Sequence, residues 1–184
     1  MKKTLIIILA VVVVIALYAV VSYNGLVGLN IAADTQWKQV ESQYQRRFDL
    51  IPNLVESVKG VMTQEQKVFG DIAEARTRYS GAVSANEKAA AASQVESALG
   101  RLLVITENYP ALKSSEAVQS LMTQLEGTEN RISTERMRFN QSVQSYNLKV
   151  MRFPSSIMAS LFGFDERQYF NATPGAENAP KVKF

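Results

Sequence analysis

The chain has no cysteine and no histidine among its 184 residues. That excludes a disulfide framework, a thiolate nucleophile, and a zinc or haem site of the usual kind. Ser-His-Asp and Cys-His arrangements are excluded as well. Only a Ser-Lys dyad or a carboxylate pair stays open as catalytic chemistry. The missing cysteine suits an oxidising compartment without fixing one. An excess of one charge is also absent: Lys plus Arg number 20 against 17 Asp plus Glu, and 18 against 17 once Lys2 and Lys3 are set aside. Such a balance is not the electrostatic footprint of a nucleic-acid binder, and no nucleic-acid partner is expected. Nothing in the chain reads as a strand.

What the chain does have is one long hydrophobic run. TLIIILAVVVVIALYAVV, Thr4 to Val21, carries no charge, and the next charged residue is Asp34. About 20 mostly apolar residues cross the hydrocarbon layer as a helix, and Thr4 to Tyr23 supply them. Tyr18 and Tyr23 stand near the far end, where amphipathic rings favour the interface. A cleaved signal peptide would have a shorter apolar region and a better small-residue site than Val20-Val21-Ser22, so an uncleaved, single-pass anchor in membrane lipid is expected. Lys2 and Lys3 place the N-terminus in the cytoplasm and the bulk of the chain on the other side. Ala10, Ala16 and Ala19 could let two anchors approach, whereas Gly25-Leu26-Val27-Gly28 is one residue short of GxxxG.

Beyond the run, apolar residues recur every three or four positions: Trp37, Val40, Tyr44, Arg47, Ile51, Leu54, Val58, Val61, Glu65, Val68, Ile72, Ala75 and Tyr79. This seam predicts one helix ending at Ser80-Gly81. A second helix is predicted from Asn86, as its cap, to Glu107, ended by Asn108-Tyr109-Pro110. A third starts near Ser114 or Ser115. Its seam is Val118, Met122, Leu125, Glu129, Ile132, Arg136, Phe139, Val143, Tyr146, Val150 and Phe153. Pro154 ends it, and Ser155 or Ser156 can cap a short piece from Ile157 to Phe164. The stretch NATPGAENAPKVKF, Asn171 to Phe184, reads as a disordered tail. The predicted class is all-α: an N-terminal transmembrane helix (1–23), then an elongated up-and-down helical bundle of three to four helices (24–170), then the tail (171–184).

Two features break the seams. Arg47, Glu65, Glu129 and Arg136 occupy core positions, and buried charges are rare unless paired. They are expected to form a polar network across the bundle, most simply Arg47 with Glu129; the alternative is that each snorkels to the surface. Pro52 either kinks one helix or opens a second one capped by Asp49. The seam stays in phase through it, so a bent helix is expected rather than a reversal.

Seven stretches, in order, carry a resemblance: Tyr23-Asn24-Gly25-Leu26-Val27, Arg46 to Val55 (RRFDLIPNLV), Tyr109 to Lys113 (YPALK), Thr128 to Ile132 (TENRI), Arg136 to Asn140 (RMRFN), Tyr146-Asn147, and Phe153 to Ile157 (FPSSI). Over residues 20 to 170 the chain resembles the LemA family of bacterial membrane proteins. The resemblance implies a helical bundle behind an N-terminal membrane segment; with the orientation read from Lys2 and Lys3, the expected location is the cytoplasmic (inner) membrane, with the bundle on the extracytoplasmic side. It brings no catalytic mechanism. It associates the chain with membrane-proteolysis or envelope-stress systems, and with relatives that resemble magnetosome-membrane proteins. Many members carry a histidine near Val61 to Glu65; here Gln64 stands there, which removes that residue as a ligand.

Asp49, Glu65, Glu129 and Glu135 are the available acid-base carboxylates, but the sequence offers no nucleophile elbow or Gly-rich loop to serve them. The Glu-x-x-His pattern of di-iron bundles is missing. No catalytic residue, metal or cofactor is therefore expected, and Asn171-Ala172-Thr173 reads as an idle glycosylation match. Ile157, Met158, Leu161, Phe162 and Phe164 form a short, strongly apolar piece. It either caps the end of the bundle or serves as a binding foot on membrane or partner, and the direction of the third helix decides which. The expected function is that of a non-enzymatic envelope scaffold or adaptor, with an envelope or membrane protein as partner. The alternative is a homo-oligomeric coat that remodels the membrane surface.

Overall fold

The structure is a computed structural model that describes residues 2–60 and 66–170. Six helices follow one another: α1 (Lys2–Lys59), α2 (Gln66–Gly81), α3 (Ala85–Thr106), α4 (Pro110–Lys113), α5 (Glu116–Met151) and α6 (Ser155–Phe162). No strand occurs among the described residues. The chain divides into two compact units that both draw on α1 and α5. The anchor unit comprises residues 2–38 and 137–169, and the bundle unit residues 39–136 together with Phe170. Glu65, Val61 and the stretch Asn171 to Phe184 lie outside the described residues.

In the bundle unit α1 runs through Pro52 without reversing. The single helix expected from Trp37 to Tyr79 is nevertheless two. α1 ends at Lys59, α2 begins at Gln66, and the Tyr79 ring lies 4.4 Å from that of Phe48 and 5.7 Å from that of Tyr44. α2 therefore runs back along α1. The 3-4 rhythm missed the reversal because both helices present their apolar stripe to the same core, and the connecting residues happen to preserve the phase. Sequence signals for a stop were present in Gly60 and in Thr63-x-x-Gln66, a capping-box pattern.

α3 returns antiparallel to α2, as Arg78 bonds Gln94 (3.2 Å) while Arg101 bonds Asp71 (3.2 Å). α5 then descends against α1. The result is an up-down-up-down arrangement of four helices. One residue from each shows the shared core: Leu54, Ile72, Leu102 and Ile132 are all buried. Withdrawing each such side chain from water stabilises the fold by about 1.5–3 kcal/mol. The N-cap of α3 is Ser84 and not Asn86. Its hydroxyl accepts from the Glu87 amide, and the Glu87 carboxylate accepts from the amides of Val83 and Ser84 at 3.0 Å. These amides hold the Glu87 carboxyl below its usual range. The short α4, with Pro110 in its first turn, contributes the buried Leu112.

In the anchor unit the apolar run leads into packed helix without a break. The large apolar side chains from Leu5 to Val21 are exposed, whereas Leu26, Ala33 and Trp37 are buried. α1 is long and apolar enough to cross a membrane. α5 lies antiparallel to it: the Trp37 ring meets Phe139 edge-on at 5.3 Å, and the Lys149 stem passes Gly25, where an added Cβ would stand 3.6 Å from its Cε. α5 thus ends beside the upper end of the apolar run. It stops at Met151, and Phe153, expected in the seam, turns outward and is 81% exposed. Ser155 does not cap α6; its hydroxyl donates to the carbonyls of Lys149 and Arg152 and so closes α5 instead. Gly163, with φ +71°, ends α6 in the left-handed conformation that glycine adopts without a Cβ penalty.

Candidate functional site

Seam positions on α1 and α5 bring the charged residues of the bundle unit together. Arg47 is only 3% exposed, and its Nη2 donates to Oε2 of Glu129, which stays 39% exposed. A guanidinium so far from water needs a charged acceptor. Arg136, one heptad further along α5, turns elsewhere. Its Nε donates to the Tyr44 hydroxyl (3.0 Å), its Nη2 donates to Glu96 Oε2 on α3 (3.2 Å), and its plane covers the rings of Tyr44 and Phe170. Glu96 lay on no predicted seam, so the sequence reading missed it. Lys88 and Glu41 pair α3 with α1.

The protonation states follow from this packing. Burial raises the Tyr44 phenol above its usual range, opposed by the Arg136 charge and hydrogen bond. Burial, and then the charges of Glu41 and Tyr44, push Tyr79 up as well. Burial alone would lower Arg136, but Tyr44 and Glu96 outweigh it and keep its pKa above the usual value.

Beside the Arg47–Glu129 pair a groove of about 260 Å³ opens between α3 and α5. Leu54, Leu99, Leu103, Met122 and Leu125 form its apolar walls, and Glu96, Glu126 and Glu129 line it with carboxylates. It adjoins, at Leu103 and Met122, a wider depression of about 510 Å³ that Val104, Leu112 and Val118 help to line. Gly100 lies in the groove, and a Cβ added there would meet nothing within 4 Å. A glycine inside a helix costs roughly 1 kcal/mol relative to alanine. Here it leaves that stretch of the groove's lining without a side chain. Among the described residues no cluster of His, Cys, Asp or Glu is placed to hold a metal ion.

The anchor unit carries the apolar piece. Phe162 and Phe164 meet the Tyr23 ring edge-on, with centroids at 4.9 and 5.8 Å. Ala159 and Ser155 turn inward; Ile157, Leu161 and Phe162 face out, and Met158 is half-buried. After α6 the chain is pinned as a strap. Buried Asn147 donates from Nδ2 to the Arg167 carbonyl (2.8 Å) and accepts from the Arg167 amide (2.9 Å). Tyr146 donates to the Asp165 carbonyl, and the Arg167 guanidinium reaches Asn30 and Asp34 on α1, each at 2.8 Å. Burial raises the Tyr146 phenol above its ordinary value, against the Arg167 charge. The motif Tyr146-Asn147 was visible in the sequence, but its partner Arg167, some 20 residues on, was not.

The model of the LemA family matches residues 36–184. Similar curated proteins include magnetosome protein MamQ of Magnetospirillum gryphiswaldense, 26% identical over 184 residues, which cover 84% of this chain and 66% of that protein. Magnetosome proteins MamQ 1 and MamQ 2 of Paramagnetospirillum magneticum are each 27% identical over 183 residues, with the same coverage. The chain thus spans slightly less than two thirds of the length of the curated relatives it matches.

Proposed function

The chain belongs to the LemA family and is a membrane-associated protein anchored by its N-terminal apolar helix; from this premise we propose that it is a non-enzymatic scaffold whose bundle unit holds a helix of another membrane or envelope protein. The observation that carries this reading is the groove between α3 and α5. Its walls are apolar, its carboxylates are Glu96, Glu126 and Glu129, and Gly100 lines it without a side chain. An amphipathic helix with an apolar stripe flanked by lysine or arginine matches that chemistry. Lys2 and Lys3 ahead of the apolar run support a cytoplasmic N-terminus and an extracytoplasmic bundle unit in the inner membrane.

A photoreactive residue at Met122, in the full chain in its native membrane, tests the groove. A discrete cross-linked product that disappears when Gly100→Trp fills the floor is the expected result. No product, or a product indifferent to Gly100→Trp, overturns the reading. A product with the mass of two chains favours the homo-oligomeric coat instead. Sidedness is read from a single cysteine at Val83, 91% exposed, with a membrane-impermeant thiol reagent.

A further inference from the structure

We infer that α6 and the residue pair leading into it form a second membrane contact, a foot that lies in the headgroup region of the same bilayer that α1 crosses. Three observations in the anchor unit converge on this. First, the place: Phe162 and Phe164 sit on Tyr23, at the end of the exposed apolar run of α1. Second, the face: α6 turns Ser155 and Ala159 inward and leaves Ile157, Leu161 and Phe162 outward, 53%, 71% and 51% exposed, with Phe153 beside them at 81%. An apolar face of this size on a piece of eight residues is unusual in water and ordinary at a bilayer boundary. Third, continuity: the exposed apolar surface of the run and that of α6 meet at Tyr23, so one lipid surface covers both.

The charges around the foot decide what kind of lipid contact it is. Lys149 and Arg152 precede α6, Asp165 and Glu166 follow it, and Arg167 is paired with Asp34. The foot is therefore close to neutral, and apolar insertion rather than attraction to anionic headgroups drives it. A single helical anchor leaves its unit free to turn about the helix axis. A lateral foot removes that freedom and fixes which side of the anchor unit looks at the bilayer. The inference rests on the membrane anchor and is independent of the groove.

The absence of native cysteine permits the test in the full chain. Single cysteines at Leu161, at Phe153 and at the exposed control Gln144 are labelled with a polarity-sensitive fluorophore. The labelled chains are reconstituted into phosphatidylcholine vesicles containing lipids with a quencher at shallow acyl depth. Expected is several-fold stronger quenching at Leu161 and Phe153 than at Gln144, from a depth of about 5–10 Å. That quenching should persist when salt is raised far enough to screen surface charge. Equal quenching at all three positions overturns the proposal. So does quenching that requires anionic lipid and fades with salt. Protection of Leu161 that follows the protein-to-lipid ratio rather than the quencher would mean that a second copy covers the face, and overturns it too. None of these outcomes bears on the Met122 cross-link, which reads the other unit.

Discussion

The two units share α1 and α5 but bury their polar groups differently. In the bundle unit the buried group is a charge: Arg47, almost sealed, held by a carboxylate that remains partly in water. In the anchor unit it is a neutral amide: Asn147, 2% exposed, bonded in both directions to the backbone of Arg167, whose own charge sits nearer the surface on Asp34. An amide that exchanges two hydrogen bonds with a backbone is engaged through both its donor and its acceptor ends and fixes a position. A sealed cation depends on one counter-charge, and that counter-charge lines the groove. The first arrangement suits a strap that only has to stay in place. The second couples core stability to a surface that a partner can touch.

The largest expected effect tests that asymmetry. Glu129→Ala strands the Arg47 charge in the core and should cost about 3–5 kcal/mol. Arg47→Met leaves a carboxylate that water can still reach, and should cost about 1–2 kcal/mol. The double replacement Arg47→Met with Glu129→Leu should be nearly neutral. Denaturant unfolding of the full chain in detergent measures all three, and equal costs from the two sides would break the comparison. Next, Asn147→Ala removes both bonds to the strap and should cost about 2 kcal/mol. Hydrogen exchange should then rise at the Arg167 amide while amides of α3 keep their protection; loss of protection in α3 would mean that the strap is more than local.

A smaller effect is confined to alkaline solution. Tyr44 and Tyr79 have raised pKa values in the folded chain. Their contribution is complete below the unfolded value of about 10 and is lost as pH rises above it, because only the unfolded phenols ionise there. Tyr146 repeats this in the anchor unit alone. Protection in α2 and α3 should therefore fall before protection around Asn147 as pH rises above about 10, on the scale of tyrosine ionisation. Tyr79→Phe should narrow the difference, and simultaneous loss would dissolve it.

The sequence was most legible where period and burial coincide. Val40, Tyr44, Leu54 and Ile132 lie on predicted seams and are buried. An arginine at such a position announces a sealed cation and limits its partner to carboxylates on facing helices. Period alone could not show the reversal from α1 to α2, since a reversal that preserves phase is invisible to it. Nor could it supply Glu96, which reaches Arg136 from the flank of α3. The strap at Arg167 was hidden for another reason. It is irregular chain held by side-chain-to-backbone bonds, and such pairings have no spacing to read. The groove was hidden as well: Gly100 lines it, and a lone glycine in a helix has several meanings until its surroundings are known.

Synthesis order gives the buried arginine a further consequence. Arg47 emerges 82 residues ahead of Glu129, and Asn30 emerges 137 residues ahead of Arg167. α1 is therefore finished, with the part of its seam that faces α5 uncovered, long before α5 is made to cover it. An apolar seam left open that long invites association with other nascent chains. A fully hydrated guanidinium in its middle makes the waiting helix less adhesive, and becomes a core residue only when the last long helix delivers its carboxylate.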